Sequence, residues 1–65
     1  MSKDKRKRLE IIGIRRKRGL TQEEVAEYLN ISSSFYSQIE TGIRNPGRET
    51  AIKLCDFYGM DIRKI

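Results

Sequence analysis

Hydrophobic residues in the first part of the chain recur among charged ones at a spacing compatible with a helix. They are Leu9, Ile11, Ile12 and Ile14. This pattern predicts a helix over residues 5–18, and Gly19 after it can adopt the left-handed conformation that ends helices. Gly13 costs about 1 kcal/mol relative to alanine within a helix, so the segment needs tertiary packing to stay helical.

A capping box, TQEE at residues 21–24, predicts the start of a second helix. The hydroxyl of Thr21 can accept a hydrogen bond from the Glu24 amide while the Glu24 carboxylate accepts one from the Thr21 amide. One face of this helix carries Val25, Ala26 and Leu29. Only Asn30 and Ile31 separate it from the next helix, and asparagine tolerates the left-handed backbone of a sharp turn.

Ser32 is suited to cap a third helix, which Gly42 ends. The bulky side chains of this helix are Phe35, Tyr36 and Ile39. Of the three, Tyr36 and Ile39, together with Ile31 before the helix, are expected in the core.

An Asn-Pro-Gly loop at residues 45–47 precedes a fourth predicted helix, residues 48–58, which Gly59 closes. Asp61 can cap a last stub over residues 62–65, stable only when packed down. No repeat and no alternating strand pattern appears. The predicted fold is therefore all-α, one compact domain of four to five helices over residues 1–65.

Composition excludes several classes of protein. The chain has 65 residues, one cysteine and no histidine, which rules out a disulfide scaffold and a zinc module. Cys55 stands in an apolar run and is expected in the core. No catalytic set, cofactor motif or small-molecule site is recognisable, so an enzyme is not expected. Apolar runs are too short to span a bilayer, which predicts a soluble, cytoplasmic protein.

Positive charge is concentrated at the N-terminus. Residues 1–19 carry a net charge of +7, whereas residues 20–65 carry −2. The basic cluster within residues 1–8 comprises Lys3, Lys5, Arg6, Lys7 and Arg8. It is either an arm that binds a nucleic acid or a solvated helix start, and in both cases it favours an anionic partner. A membrane surface is disfavoured because residues 1–19 contain no aromatic anchor.

Two motifs, in this order along the chain, resemble those of the Cro/C1-type helix-turn-helix family of phage repressors and bacterial regulators. They are Arg15-x3-Gly19-Leu20-Thr21-Gln22-Glu23-Glu24-Val25-Ala26 and Ile39-Glu40-x-Gly42-x-Arg44-x-Pro46. The resemblance implies a fold of the lambda-repressor type with the helix-turn-helix motif at residues 21–41. It also implies a transcription regulator, a repressor that binds double-stranded DNA as a homodimer on an inverted-repeat operator.

The resemblance implies roles for individual residues as well. The base-reading face of the third helix corresponds to Ser33, Ser34, Ser37 and Gln38. Contacts with DNA phosphates correspond to Gln22, Thr41, Arg44 and Asn45. Arg15 and Glu40 match a structural salt bridge, and Ala26 matches a close helix crossing. Ile43 departs from the family's frequent basic residue, and Phe35 either touches a thymine methyl or packs inward.

A dimer would have to use the bundle itself, because no separate oligomerisation domain is recognisable. The apolar candidates for its interface are Met60, Ile62 and Ile65, with core closure as the alternative role. A rival function is a protein-interaction module, such as an antitoxin-like or anti-repressor subunit. Its acidic contacts would be Glu23, Glu24, Glu27 and Asp56.

Overall fold

The computed structural model describes residues 8–61 and residue 63, and these residues contain four α helices. The helices are α1 (Leu9–Lys17), α2 (Gln22–Leu29), α3 (Ser33–Thr41) and α4 (Arg48–Tyr58). The all-α prediction and the order of its helices are confirmed. The helix predicted over 5–18 begins later than predicted, at Leu9, because Arg8 before it has a non-helical backbone with ψ 77°; residues 5–7 lie outside the described residues. It ends at Lys17, and Gly19 at φ 72° turns the chain away.

Local hydrogen bonds set the boundaries of the two central helices, as predicted. The Glu24 amide donates to the Thr21 hydroxyl over 3.1 Å, and the Thr21 amide donates to the Glu24 carboxylate over 2.8 Å, which completes the capping box. Asn30 closes α2 in the left-handed conformation at φ 63°. The Phe35 amide then donates to the Ser32 hydroxyl over 3.0 Å, which caps α3.

Glycines end the last two helices. Gly42 after α3 and Gly59 after α4 both have positive φ, the conformation that L side chains rarely adopt. Asp61 accepts a hydrogen bond from the backbone N–H of Arg63 over 3.0 Å, consistent with a capping role. The rest of the predicted stub, including Ile62 and Ile65, lies outside the described residues.

The core forms where the helices cross, and it contains most of the side chains that the apolar pattern identified, although Leu9 at the first position of α1 is 63% exposed and Ile31 is only half-buried against the core. Its members include Ile11, Val25, Ala26, Leu29, Tyr36, Ile39, Leu54 and Tyr58. Ala26 is 2% exposed, consistent with a close crossing of α2 and α3 that needs a small side chain. Cys55 is buried, as predicted, and burial raises the pKa of its thiol.

Two hydroxyls are paired inside this core. The hydroxyl oxygens of Tyr36 and Tyr58 lie 2.7 Å apart, so each buried hydroxyl has a partner. The bond joins α3 to α4. Burial, with hydrogen bonds that Tyr36 makes to Tyr58 and Glu40, raises the pKa of Tyr36 far above its ordinary value, and both tyrosines are neutral at physiological pH.

Residues 8–61 and 63 contain neither a helix that could span a membrane nor a cluster of side chains that could hold a metal ion. None of the four helices there is both long and apolar enough to cross a membrane. In the same residues no three acidic, cysteine or histidine side chains are placed to hold a metal ion.

Candidate nucleic-acid interface

Helix α3 has one face in the core and one face toward solvent. Tyr36, Ile39 and Glu40 are buried. On the other side lie the four residues predicted to read bases, with Ser33 and Ser34 exposed and Ser37 and Gln38 half-buried. Residues one turn apart on a helix share a face, so these four form one polar surface, called the reading face below.

Phe35 does not belong to the reading face. Its side chain is half-buried and packs against the hydrophobic core. Of the two roles that the sequence left open, the structure supports packing. The surface that α3 offers to a partner is therefore made of small and polar side chains.

A buried ion pair attaches α3 to α1. Arg15 Nε donates to one carboxylate oxygen of Glu40 over 2.6 Å and Arg15 Nη2 donates to the other over 3.2 Å. The Glu40 side chain is only 3% exposed. Arg15 Nη1 also donates to the carbonyl oxygen of Leu20 over 2.9 Å. These bonds hold the buried side of α3 in one orientation relative to α1 and to the turn before α2.

Gln22 joins this network from the start of α2. Its Nε2 donates to Glu40 Oε1 over 2.8 Å, an intramolecular contact that the sequence had not indicated. Burial by itself would raise the pKa of Glu40. Hydrogen bonds from Arg15, Tyr36 and Gln22 outweigh that effect and hold the pKa below its ordinary value. Glu40 is therefore a charged group at neutral pH that links three helices.

Acid is expected to destabilise the protein through Glu40. Because its pKa is lower in the folded protein than in the unfolded chain, the stabilisation is complete above the unfolded pKa of about 4.3. It is lost as pH falls from there toward the folded pKa. Thermal unfolding followed by circular dichroism from about pH 3 to pH 7 tests this. Glu40→Gln, which does not titrate, should show a shallower decline, and equal declines would contradict the assignment.

The residues predicted to bind phosphates differ in how much of their hydrogen-bonding capacity is already used. Thr41 donates its hydroxyl to the Gln38 carbonyl over 3.1 Å, and Gln22 is bound to Glu40 as described. Asn45 Oδ1 accepts from Arg8 Nη2 over 2.7 Å. The Arg44 side chain is exposed and makes no hydrogen bond or ion pair within residues 8–61 and 63. All its donors there are available to an anion.

Arg8 and Arg18 hold elements together in ways that sequence reasoning missed. Arg8 Nη1 donates to the Ile39 carbonyl over 2.7 Å, so Arg8 belongs to the end of α3 as much as to the basic N-terminal cluster. Arg18 Nη1 donates to the Phe57 carbonyl over 2.8 Å, and its guanidinium lies over the rings of Phe57 and Tyr58. These pairs are far apart in sequence, and no local pattern marks them.

Of the three residues predicted at a dimer interface, only Met60 lies among the described residues. Met60 is half-buried against the core, which is the alternative role that the sequence had offered. Large apolar side chains are exposed at other places, namely Leu9, Tyr28, Ile43 and Ile52. The acidic residues of the rival protein-interaction reading are exposed on α2 and α4.

Comparison of the sequence with known proteins identifies its family. A helix-turn-helix family model matches residues 11–65. The chain is 38% identical over 52 residues to the cryptic phage CTXphi transcriptional repressor RstR of Vibrio cholerae, covering 80% of this chain and 47% of that protein. It is 41% identical over 46 residues to the HTH-type transcriptional regulator ImmR of Bacillus subtilis strain 168, covering 71% and 36%.

A third relative is the uncharacterised HTH-type transcriptional regulator YqaF of the same bacterium, 38% identical over 47 residues, which cover 72% of this chain and 62% of YqaF. The matched segment thus spans between 36% and 62% of these relatives. No solved structure matches at a comparable level. The family match covers α2, α3 with its reading face, and α4. This chain therefore belongs to the Cro/C1-type helix-turn-helix family of transcription regulators.

Proposed function

We propose that this protein binds double-stranded DNA sequence-specifically by inserting α3 into the major groove, and that it represses transcription as a homodimer. One observation carries the proposal. The reading face of α3 is polar, with two of its side chains exposed and two half-buried, while the opposite face is fixed to α1 and α2 through Glu40. A rigid helix with an uncovered polar face is what major-groove recognition requires.

Gln38 is the strongest candidate for direct base recognition. Its carboxamide has a donor and an acceptor, which match N7 and N6 of adenine in the major groove. The hydroxyls of Ser34 and Ser37 both donate and accept, so they discriminate less between bases. Serines are short, which favours close approach of the helix backbone or contacts through ordered water.

Phosphate contacts on both sides of α3 would set its register on the duplex. Gln22 stands at the first position of α2, where free backbone N–H groups and the helix dipole favour an anion. One Nε2 hydrogen of Gln22 is used by Glu40, which leaves the second for a phosphate oxygen. Arg44 in the loop after α3 would bind a phosphate on the other side.

A homodimer is proposed because one helix of this kind reads only a few base pairs. Two copies related by a two-fold axis would read half-sites about 34 Å apart on an inverted repeat. Repression is proposed from the similarity to RstR, which is named a transcriptional repressor. Of the three residues predicted at the interface between the two copies, Met60 packs against the core, so we propose that Ile62 and Ile65 make the contact.

Selection of bound sequences from random duplex DNA tests the proposed function. We expect an inverted repeat to be enriched, and retention on unselected duplex to fall steeply as salt rises. Analytical ultracentrifugation with the selected duplex would count the bound copies. If no sequence is enriched and the protein is not retained on DNA even at low salt, the proposal fails. The acidic protein-interaction surface would then be the better explanation.

Replacing Arg44 by alanine should weaken binding to all duplexes alike. Losing one phosphate contact should lower the slope of log affinity against log salt by about 1 while the preferred sequence stays the same. Fluorescence anisotropy with selected and unselected duplexes measures both effects. Lys53→Ala is the matched control, because it removes the same charge from the exposed side of α4, which packs on α1 and α2. An equal slope change in both variants would count against a specific Arg44 contact.

A further inference from the structure

Arg8 makes three hydrogen bonds at the C-terminal end of α3. Its backbone N–H donates to the Glu40 carbonyl over 2.8 Å and its Nη1 donates to the Ile39 carbonyl over 2.7 Å. Its Nη2 donates to Asn45 Oδ1 over 2.7 Å. Carbonyls in the last turn of a helix lack partners within the helix, and a cation there is favoured by the helix dipole. Arg8 thus caps the last carbonyls of α3 and also binds the loop that follows it.

The bond to Arg8 determines which way the Asn45 carboxamide faces. A guanidinium has donors and no acceptor, so the group that faces it must be Oδ1 and not Nδ2. Asn45 is exposed, and its Nδ2 makes no hydrogen bond to any other residue within the described part of the chain. Both Nδ2 hydrogens are therefore directed away from Arg8 and are available. Phosphate oxygens accept hydrogen bonds and do not donate them, so Nδ2 is the end of the carboxamide that a DNA backbone needs.

We infer that Arg8 is a positioning residue for DNA binding: it orients the Asn45 carboxamide so that Nδ2 donates to a backbone phosphate beside α3. The inference rests on the proposed DNA-binding function and adds a residue to it. Arg8 acts through Asn45 and through the end of α3. The Ile39 carbonyl and Asn45 Oδ1 occupy two of the five guanidinium N–H donors of Arg8, so a direct phosphate contact through the other three is the competing role.

A double-mutant cycle distinguishes positioning from direct contact. Arg8→Lys keeps the positive charge but loses the planar fork that reaches Ile39 and Asn45 together. We expect Arg8→Lys and Asn45→Ala each to weaken binding of the selected duplex about fivefold. The double variant should be no weaker than either single variant, since both remove the same phosphate contact. The salt slope of Arg8→Lys should equal that of the unmodified protein, because the charge is retained.

Two further variants keep the experiment decisive. Arg16→Lys on the exposed side of α1 is the control for the arginine-to-lysine change and should bind normally. Asn45→Asp keeps the acceptor for Arg8 but presents an oxygen where Nδ2 was, so it should bind DNA more weakly than Asn45→Ala. This comparison does not depend on whether the Arg8 variant is stable. Thermal unfolding of each variant verifies that it is folded at the assay temperature.

Three results would overturn the inference. They are additive losses in the double variant, Asn45→Asp binding as well as Asn45→Ala, and normal binding by all the Arg8 and Asn45 variants. In each of these cases the unmodified protein still binds its selected duplex, and the proposed function stands. Failure of the unmodified protein to bind any duplex would instead remove the proposed function itself.

Discussion

Replacing Glu40 by alanine is expected to unfold a large fraction of the protein. The change leaves the Arg15 guanidinium, 11% exposed at its side chain, without its carboxylate, and it removes the acceptor of Gln22. Breaking a buried pair from one side costs about 3–5 kcal/mol. A domain of this length has a free energy of unfolding of only roughly 3–10 kcal/mol. Urea denaturation followed by circular dichroism measures the loss.

Glu27→Ala is the matched control, because Glu27 is an exposed carboxylate on α2. Its effect on the free energy of unfolding should stay within about 0.5 kcal/mol. The double variant Arg15→Met with Glu40→Met should recover much of the lost stability, since a buried pair replaced by apolar groups is often neutral. A loss below about 1 kcal/mol for Glu40→Ala would mean that the network does not fix α3.

Replacing Gln38 by alanine is expected to change which DNA sequence the protein prefers. If its carboxamide pairs with a base, one position in each half-site should lose its preference. The discrimination lost there should be about 1–3 kcal/mol, which is about 5- to 150-fold in relative affinity. Repeating the selection with Gln38→Ala, then competing single-base variants of the duplex, measures the effect at each position.

Arg44→Ala provides the contrast for the Gln38 experiment, since it should weaken binding everywhere and leave the preferred sequence unchanged. Ser34→Ala tests a second residue of the reading face in the same assay. If Gln38→Ala and Ser34→Ala both retain the original preference while Arg44→Ala weakens binding uniformly, the base-reading assignment is wrong. DNA binding would then depend on phosphates and on the shape of the duplex.

The positions of the helices were predictable because their boundaries depend on short-range chemistry. The capping box of Thr21 and Glu24 and the Ser32 cap join residues three positions apart. Asn30 and Gly42 end their helices through backbone conformations that few other residues adopt readily. Such signals act within one turn, so they can be read along the chain.

Parts of the candidate interface were also predictable, through the resemblance to a known family. It placed Ser34 and Gln38 on one face of α3, and the structure leaves both of them accessible to solvent. It also paired Arg15 with Glu40, which are bonded in the structure. That the reading face and the phosphate candidates contact DNA is our proposal, which the Gln38 and Arg44 variants test.

The sequence by itself determined the helix order, the capped boundaries, the apolar core positions and the family. Only the tertiary structure decided which groups Arg8, Gln22 and Arg18 bind. Arg8 meets Asn45 across 37 positions and Gln22 meets Glu40 across 18. The physical reason is that a helix period specifies which face of one helix is apolar, whereas these contacts depend on how the packed helices place distant side chains against one another.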